Sequence, residues 1–139
     1  MIQISPDNKT LLLQVEADNQ QYNLQLATID GGKPQIIAEN SGTISAASWS
    51  PRNDTIALFN QQEWALQLYD IDTDTLDTIV SVSDSTVWNI IWDSAGENVI
   101  FTTGTAGAEQ LNRFDVTTST EYLLTDLPGS LTQLIATLQ

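Results

Sequence analysis

The densest charge in the chain is Asp70-Ile71-Asp72-Thr73-Asp74-Thr75-Leu76-Asp77. Carboxylates at alternate positions are what a calcium ion would use, since it gathers six to eight oxygen ligands. Asp70, Asp72 and Asp74 are therefore the metal candidates. A calcium loop starting at Asp70 needs Gly at its sixth position and Glu at its twelfth, and finds Thr75 and Ser81. A solvated hairpin turn is the simpler expectation for this run. A second candidate, Thr102-Thr103-Gly104-Thr105-Ala106-Gly107-Ala108, has the glycines of a phosphate loop without its lysine or its following helix. A flexible hairpin loop is expected there.

Catalytic chemistry finds little to build on. The chain has 139 residues and no histidine or cysteine. The commonest general base, the commonest zinc ligand and the thiolate nucleophile are all missing. Serines are plentiful, but no Gly-x-Ser-x-Gly elbow and no triad base accompany them. No catalytic residue and no cofactor are assigned, and the chain is read as a non-enzyme. Cysteine-free sequences suit either side of a membrane, so the compartment stays open. The opening Met1-Ile2-Gln3-Ile4-Ser5-Pro6 has neither the basic nor the apolar region of a secretory signal.

Eighteen acidic side chains against four basic ones give a formal net charge of −14. Nucleic-acid binding needs clustered cations to displace counterions, so a nucleic-acid partner is excluded, and insertion into a membrane is not expected. The acidity serves solubility and would steer cationic partners. Apolar residues make up 41% of the chain and charged ones only 16%, a balance that folds rather than stays disordered.

The elements that would position any site come from a repeat. Ser5-Pro6-Asp7-Asn8 followed by Leu11-Leu12-Leu13 aligns with Ser50-Pro51-Arg52-Asn53 followed by Ile56-Ala57-Leu58. Both align with Asp93-Ser94-Ala95-Gly96 followed by Val99-Ile100-Phe101. A large apolar residue, Ile4, Trp49 or Trp92, precedes each turn. A second set, Leu24–Asp30, Leu66–Asp72 and Leu111–Thr117, recurs at about the same period of 42 to 45 residues. Four short strands fit in each unit, with turn-forming Pro, Asn and Asp between them. The spacing predicts strands over 2–4, 11–15, 22–29 and 35–38, then 44–49, 55–60, 65–70 and 77–80, then 87–92, 99–103, 110–115 and 120–124. No stretch has sustained helical periodicity. Four strands per roughly 43 residues is the period of a β-propeller blade, so the expected fold is all-β. Residues 1–139 form a single partial propeller, with blades near 1–43, 44–86 and 87–129, and 130–139 opening a fourth. Ile4, Trp49 and Trp92 should fill the gaps between blades.

Ser48-Trp49-Ser50-Pro51 through Phe59, followed by Leu66-Gln67-Leu68-Tyr69-Asp70, resembles the TolB-type propeller repeat, a relative of the WD-repeat blades. Its pattern is W-S-P-D-G-x-x-I-A-F, then I-Y-x-x-D, then a strand ending in L-T. Leu123-Leu124-Thr125 matches the closing element. The family's Asp-Gly turn becomes Asp7-Asn8, Arg52-Asn53 and Ala95-Gly96 here. Asn tolerates positive φ, so the turns should survive. The resemblance implies a bacterial-type scaffold of the kind found in periplasmic propellers, in non-catalytic domains of peptidases and in sensor proteins. It implies a periplasmic or other extracytoplasmic location if the chain belongs to a longer protein of that type.

Three blades do not close a ring, since natural propellers have about four to eight. Three readings follow: a piece of a longer propeller, half of a six-bladed ring completed by a second copy, or an open arc. The expected function is a non-catalytic scaffold for protein or ligand binding. Its partner is a protein or a second copy of the chain. Trp64 and Trp88 are the candidate binding anchors, because exposed tryptophans dominate interface energetics. The plainer alternative has Trp64 covering a hairpin and Trp88 packed between blades.

Overall fold

The structure, a computed structural model, describes residues 2–18, 21–39, 47–83, 85–105 and 107–127. Twelve strands run in chain order through them: β1 (Ile2–Ile4), β2 (Thr10–Glu16), β3 (Tyr22–Thr28), β4 (Gln35–Ala38), β5 (Ala47–Trp49), β6 (Thr55–Asn60), β7 (Ala65–Asp70), β8 (Thr75–Ser81), β9 (Thr86–Trp92), β10 (Asn98–Thr105), β11 (Ala108–Asp115) and β12 (Thr120–Leu127). They form three four-stranded sheets in which each strand pairs antiparallel with the next in sequence. The fold is all-β. The sheets are three propeller blades, and they do not close into a ring. The expected fourth-unit strand over 130–139 and the start of the strand expected at 44 lie outside the described residues.

The predicted strands recur with small extensions. The third blade departs most: β10 runs on to Thr105 and β11 begins at Ala108. The loop expected over 102–108 is thus mostly strand. Gly104 pairs with Glu109 on one side and Thr86 on the other, so ladder bonds hold what composition alone marks as flexible.

The turn after each innermost strand has one geometry throughout. Asn8, Asn53 and Gly96 sit at φ of 60°, 62° and 68°, the left-handed region that Asn and Gly enter at least cost. Their amides donate to the carbonyls of Ser5, Ser50 and Asp93 at 2.9, 3.1 and 3.1 Å. The amides of Ile29, Ile71 and Val116 each reach back 2.9 Å to the carbonyl of Lys9, Asp54 or Glu97. The repeat in sequence is therefore a repeat in hydrogen bonding.

Alternation along each strand decides which blade a side chain meets. Ala47, Trp49, Ile56, Leu58 and Tyr69 of the second blade pack against Leu12, Leu24 and Leu26 of the first. Ala57, Phe59 and Leu66, on the opposite face, pack against Val87, Ile90, Trp92, Val99, Phe101 and Phe114 of the third. The expected gap-filling role holds for Trp49 and Trp92, 9% and 6% exposed. It fails for Ile4, which is 46% exposed. By the repeat, Ile4 points to the side where the second and third blades find a preceding blade. No described sheet lies there, and Ile2 on the same face is 73% exposed.

Asp93 takes over in the third blade the role that Ser5, whose Oγ accepts from the amides of Lys9 and Thr10, plays in the first. Its Oδ1 accepts from the amides of Glu97 and Asn98 at 2.8 and 3.1 Å, and its Oδ2 from Asn98 Nδ2 at 2.7 Å. Partial burial pushes the Asp93 carboxyl up, but donations from Asn98, Glu97 and Gly96 outweigh it and leave the pKa below the usual value. A carboxyl lowered on folding stabilises the fold above its ordinary pKa, and the contribution fades as pH falls through the lowered value. The stability gap between the chain and Asp93→Asn is therefore expected to be widest near neutrality and to shrink below about pH 4. Urea midpoints of the two proteins across pH would show it, and a constant gap would contradict it.

Candidate functional site

The acidic run spans the end of β7, the turn and the start of β8. Asp70 Oδ1 accepts from the amide of Thr73 at 2.8 Å and from its hydroxyl at 2.9 Å, which lowers the Asp70 pKa. Asp115 holds the amide of Thr118 at 2.9 Å in the matching turn of the third blade, with the same effect on its pKa. Asp74, at φ 56°, turns towards the first blade. Its Oδ1 accepts from Tyr69 Oη at 2.7 Å and from Gln35 Nε2 at 2.9 Å. Asp70 and Asp74 thus direct their bonded oxygens to different neighbours. Among the described residues no three acidic side chains converge as a metal site.

Trp64 closes the hairpin between β6 and β7 at φ 49° and is 41% exposed. Its ring stands edge-on to Phe59, with centroids 6.4 Å apart, and its carbonyl accepts from the amide of Val82 at 2.8 Å. The indole packs on Phe59 and remains partly open to solvent. Trp88 is half-buried on β9 opposite Thr102, whose hydroxyl donates to the Trp88 carbonyl at 2.7 Å. The Trp88 Nε1 is buried and has no hydrogen-bond partner among the described residues. The two tryptophans lie on different blades and do not form one site.

Neighbouring blades are tied at the ends of their innermost strands, a feature that the repeat does not reveal. The amide of Asp7 donates to Asn53 Oδ1 at 3.0 Å. One step on, Arg52 Nε donates to the carbonyl of Ala95 at 2.7 Å, and Arg52 Nη2 pairs with Glu97 at 3.3 Å. Gly96 is needed here for space as well as for φ, since a Cβ would lie 3.1 Å from Arg52 Cγ and Ser50 Oγ. Deeper in the stack, Gln3 Nε2 donates to the carbonyl of Ala47 at 2.7 Å and Trp92 Nε1 to that of Ser48 at 3.0 Å. Each partner lies 43 to 46 residues away, one blade along. Local sequence patterns do not reach that far. The Arg52 side chain, where the family pattern has Asp, makes a bridge of donated hydrogen bonds that an Asp could not.

Two clefts open between blades at matching positions. One, of about 250 Å³, is lined by Thr10, Leu26, Thr28 and Gln35 of the first blade and Ile71 of the second, among others. The other, of about 400 Å³, is lined by Leu68, Asp70 and Asp77 of the second blade and Phe114 and Ser119 of the third, among others.

No family model matches the chain, and no curated protein matches it. Solved structures do. TolB from Acinetobacter baumannii is 22% identical at a TM-score of 0.70, over 85% of this chain and 31% of that one. An oligogalacturonate lyase from Vibrio parahaemolyticus is 13% identical at 0.71, over 91% and 39%. The propeller domain of the trilobed protease from Pyrococcus furiosus, which has an open velcro topology, is 12% identical at 0.72, over 90% and 42%. The chain spans less than half the length of each of these three.

Proposed function

We propose that this chain, three consecutive blades with the TolB-like propeller fold, is a non-catalytic scaffold that presents a rigid rim of loops to a protein or ligand. The observation that carries this reading is the tie between successive turns, from Asp7 to Asn53 and from Arg52 to Ala95 and Glu97. Loops fixed to one another on a packed stack can be complementary to a partner without being ordered at the moment of binding. The net charge of −14 favours a partner with a cationic surface. Trp64, partly open to solvent, and Trp88 are the anchors we put forward.

Affinity capture with the folded chain, followed by rebinding of each purified candidate partner, tests this. Trp64→Ala should weaken a true partner by about tenfold or more while leaving the thermal midpoint nearly unchanged. If no purified protein rebinds, or if every one binds Trp64→Ala and Trp88→Ala as it binds the parent, the reading fails.

The exposed Ile2, Ile4, Val15 and Ile36 on the first blade favour a second reading. By the repeat, Ile2 and Ile4 stand where Ala47 and Trp49 of the next blade are covered. In this reading two copies supply each other's missing neighbour and complete a six-bladed ring. Sedimentation equilibrium would then give twice the chain mass, and Ile4→Asp would return it to a monomer. A stable monomer at high concentration would refute it.

A further inference from the structure

The two clefts are the same place in successive pairs of blades, and they differ at the three positions that bridge the first and where Thr28 of the first gives way to Asp70 in the second. In the first cleft Gln35 reaches across to the second blade, where its Nε2 meets Tyr69 Oη at 3.2 Å and Asp74 Oδ1 at 2.9 Å. Tyr69 Oη completes the triangle by donating to Asp74 at 2.7 Å. Burial, then the bond to Asp74 and the charges of Asp74 and Asp70, push the Tyr69 phenol up to about 12, so it remains a donor at any ordinary pH. A latch of three side chains bridges this cleft, and Lys33 joins its lining.

In the second cleft the counterparts are Asp77, Phe114 and Ser119, displaced by 42, 45 and 45 residues from Gln35, Tyr69 and Asp74. The backbone has not changed: Ser119 sits at φ 53°, as Asp74 sits at 56°. The chemistry has. Phe114 lacks the hydroxyl, Ser119 is too short to span, and Asp77 brings a carboxylate where Gln35 brought a donor. The Asp77 side chain makes no hydrogen bond or ion pair with another described residue. What remains is a cavity of about 400 Å³ in which Leu68, Ile79, Phe114 and Val116 are the apolar lining and Asp70 and Asp77 the charged one. No cationic side chain lines it. Its size falls at the small end of ligand pockets, and apolar walls with a few directed polar groups are how such pockets are built.

We infer that the cleft between the second and third blades binds a primary ammonium group carried on a short apolar body. The ammonium would lie against Asp77 and Asp70, and the body against Leu68, Ile79, Phe114 and Val116. The shared chemistry is that of a free organic amine and of a lysine side chain on another protein. The site uses neither Trp64 nor Trp88, so it stands whether or not those bind anything.

Amide chemical shifts followed by NMR during titration test the inference. Phenethylammonium chloride probes the free amine, Nα-acetyl-lysine N-methylamide probes the side chain, and phenethyl alcohol is the neutral control. Saturable shifts centred on Asp77, Thr78 and Val116–Ser119 are expected with at least one cation, and which cation produces them identifies the source. Asp77→Asn should weaken binding by about fivefold or more, as loss of a charge-assisted contact at a partly open site would. The triple variant Asp77→Gln, Phe114→Tyr, Ser119→Asp copies the latch of the first cleft and should abolish binding while remaining folded. Should that variant fail to fold, Asp77→Asn alone carries the test. The inference is overturned if neither cation gives saturable shifts at tens of millimolar, or if the alcohol binds equally well. Unchanged affinity in Asp77→Asn, or equal shifts at Lys33 and Gln35 of the first cleft, would also overturn it.

Discussion

Trp49→Ala is expected to cost roughly 3–5 kcal/mol of unfolding free energy, while Ile4→Ala costs under about 1 kcal/mol. The two residues occupy the same place in successive blades, at the end of the innermost strand and just before the Ser-Pro turn. Trp49 is 9% exposed and packs in the cluster that joins the first blade to the second, so removing its ring leaves a cavity between two sheets. Ile4 faces the side on which no described blade precedes, and most of its transfer free energy is not realised in the described residues. The Trp49 Nε1 is buried without a partner among the described residues, which places this substitution at the lower end of its range. Urea unfolding of the two variants measures the contrast. A loss below about 1 kcal/mol for Trp49→Ala would put that residue on the surface and break the assigned register.

Gly104→Ala should cost roughly 2–4 kcal/mol, although the substitution adds one methyl group. Gly104 lies at φ 127°, a backbone region that residues with a Cβ scarcely enter. A Cβ there would run into the carbonyl oxygen of Ala108 and lie 3.0 Å from Glu109 Cα. Both obstacles are backbone of the neighbouring strand and cannot swing aside. Gly107→Ala, two residues beyond the described β10, is the control. Its Cβ would meet no atom within 4 Å, so only its φ of 86° opposes the change and the loss should be smaller. Thermal unfolding of both variants separates collision from backbone preference, and equal losses would remove the collision from the account.

The blade repeat was readable because local rules set it. Ser-Pro before Asp7-Asn8 and Arg52-Asn53 specifies a turn that needs positive φ, and Asn8 and Asn53 adopt it at 60° and 62°. Strand ends were less legible. In β10 the glycine at 104 signals a loop by composition, while pairing with Thr86 and Glu109 keeps it in the sheet. The exposure of Ile4 was hidden by the repeat itself, because equal positions suggest equal surroundings and no described sheet lies against the first blade on the side where the others have a neighbour. The latch across the first cleft could not be read at all. Tyr69 and Asp74 are five residues apart, but Gln35 joins them from 34 and 39 residues away on another sheet. Only the packing of one blade on the next brings the three together. The contrast between Tyr69 and Phe114, invisible as an isolated difference, acquires meaning once the two clefts are superposed.

Every residue of β6 from Ile56 to Asn60 is buried, because the second blade is gripped on both faces. Ile56 and Leu58 answer to the first blade, and Ala57 and Phe59 to the third. No position on this strand has an idle side on which substitutions could accumulate unnoticed. In β12 the residues from Thr120 to Asp126 are exposed, and in β2 the alternation leaves one face half open. The permissible vocabulary should therefore narrow from the outer blades to the middle one. If relatives of this chain diverge, the second blade should hold closest to its present sequence, while the first and third change according to whatever comes to lie beside them.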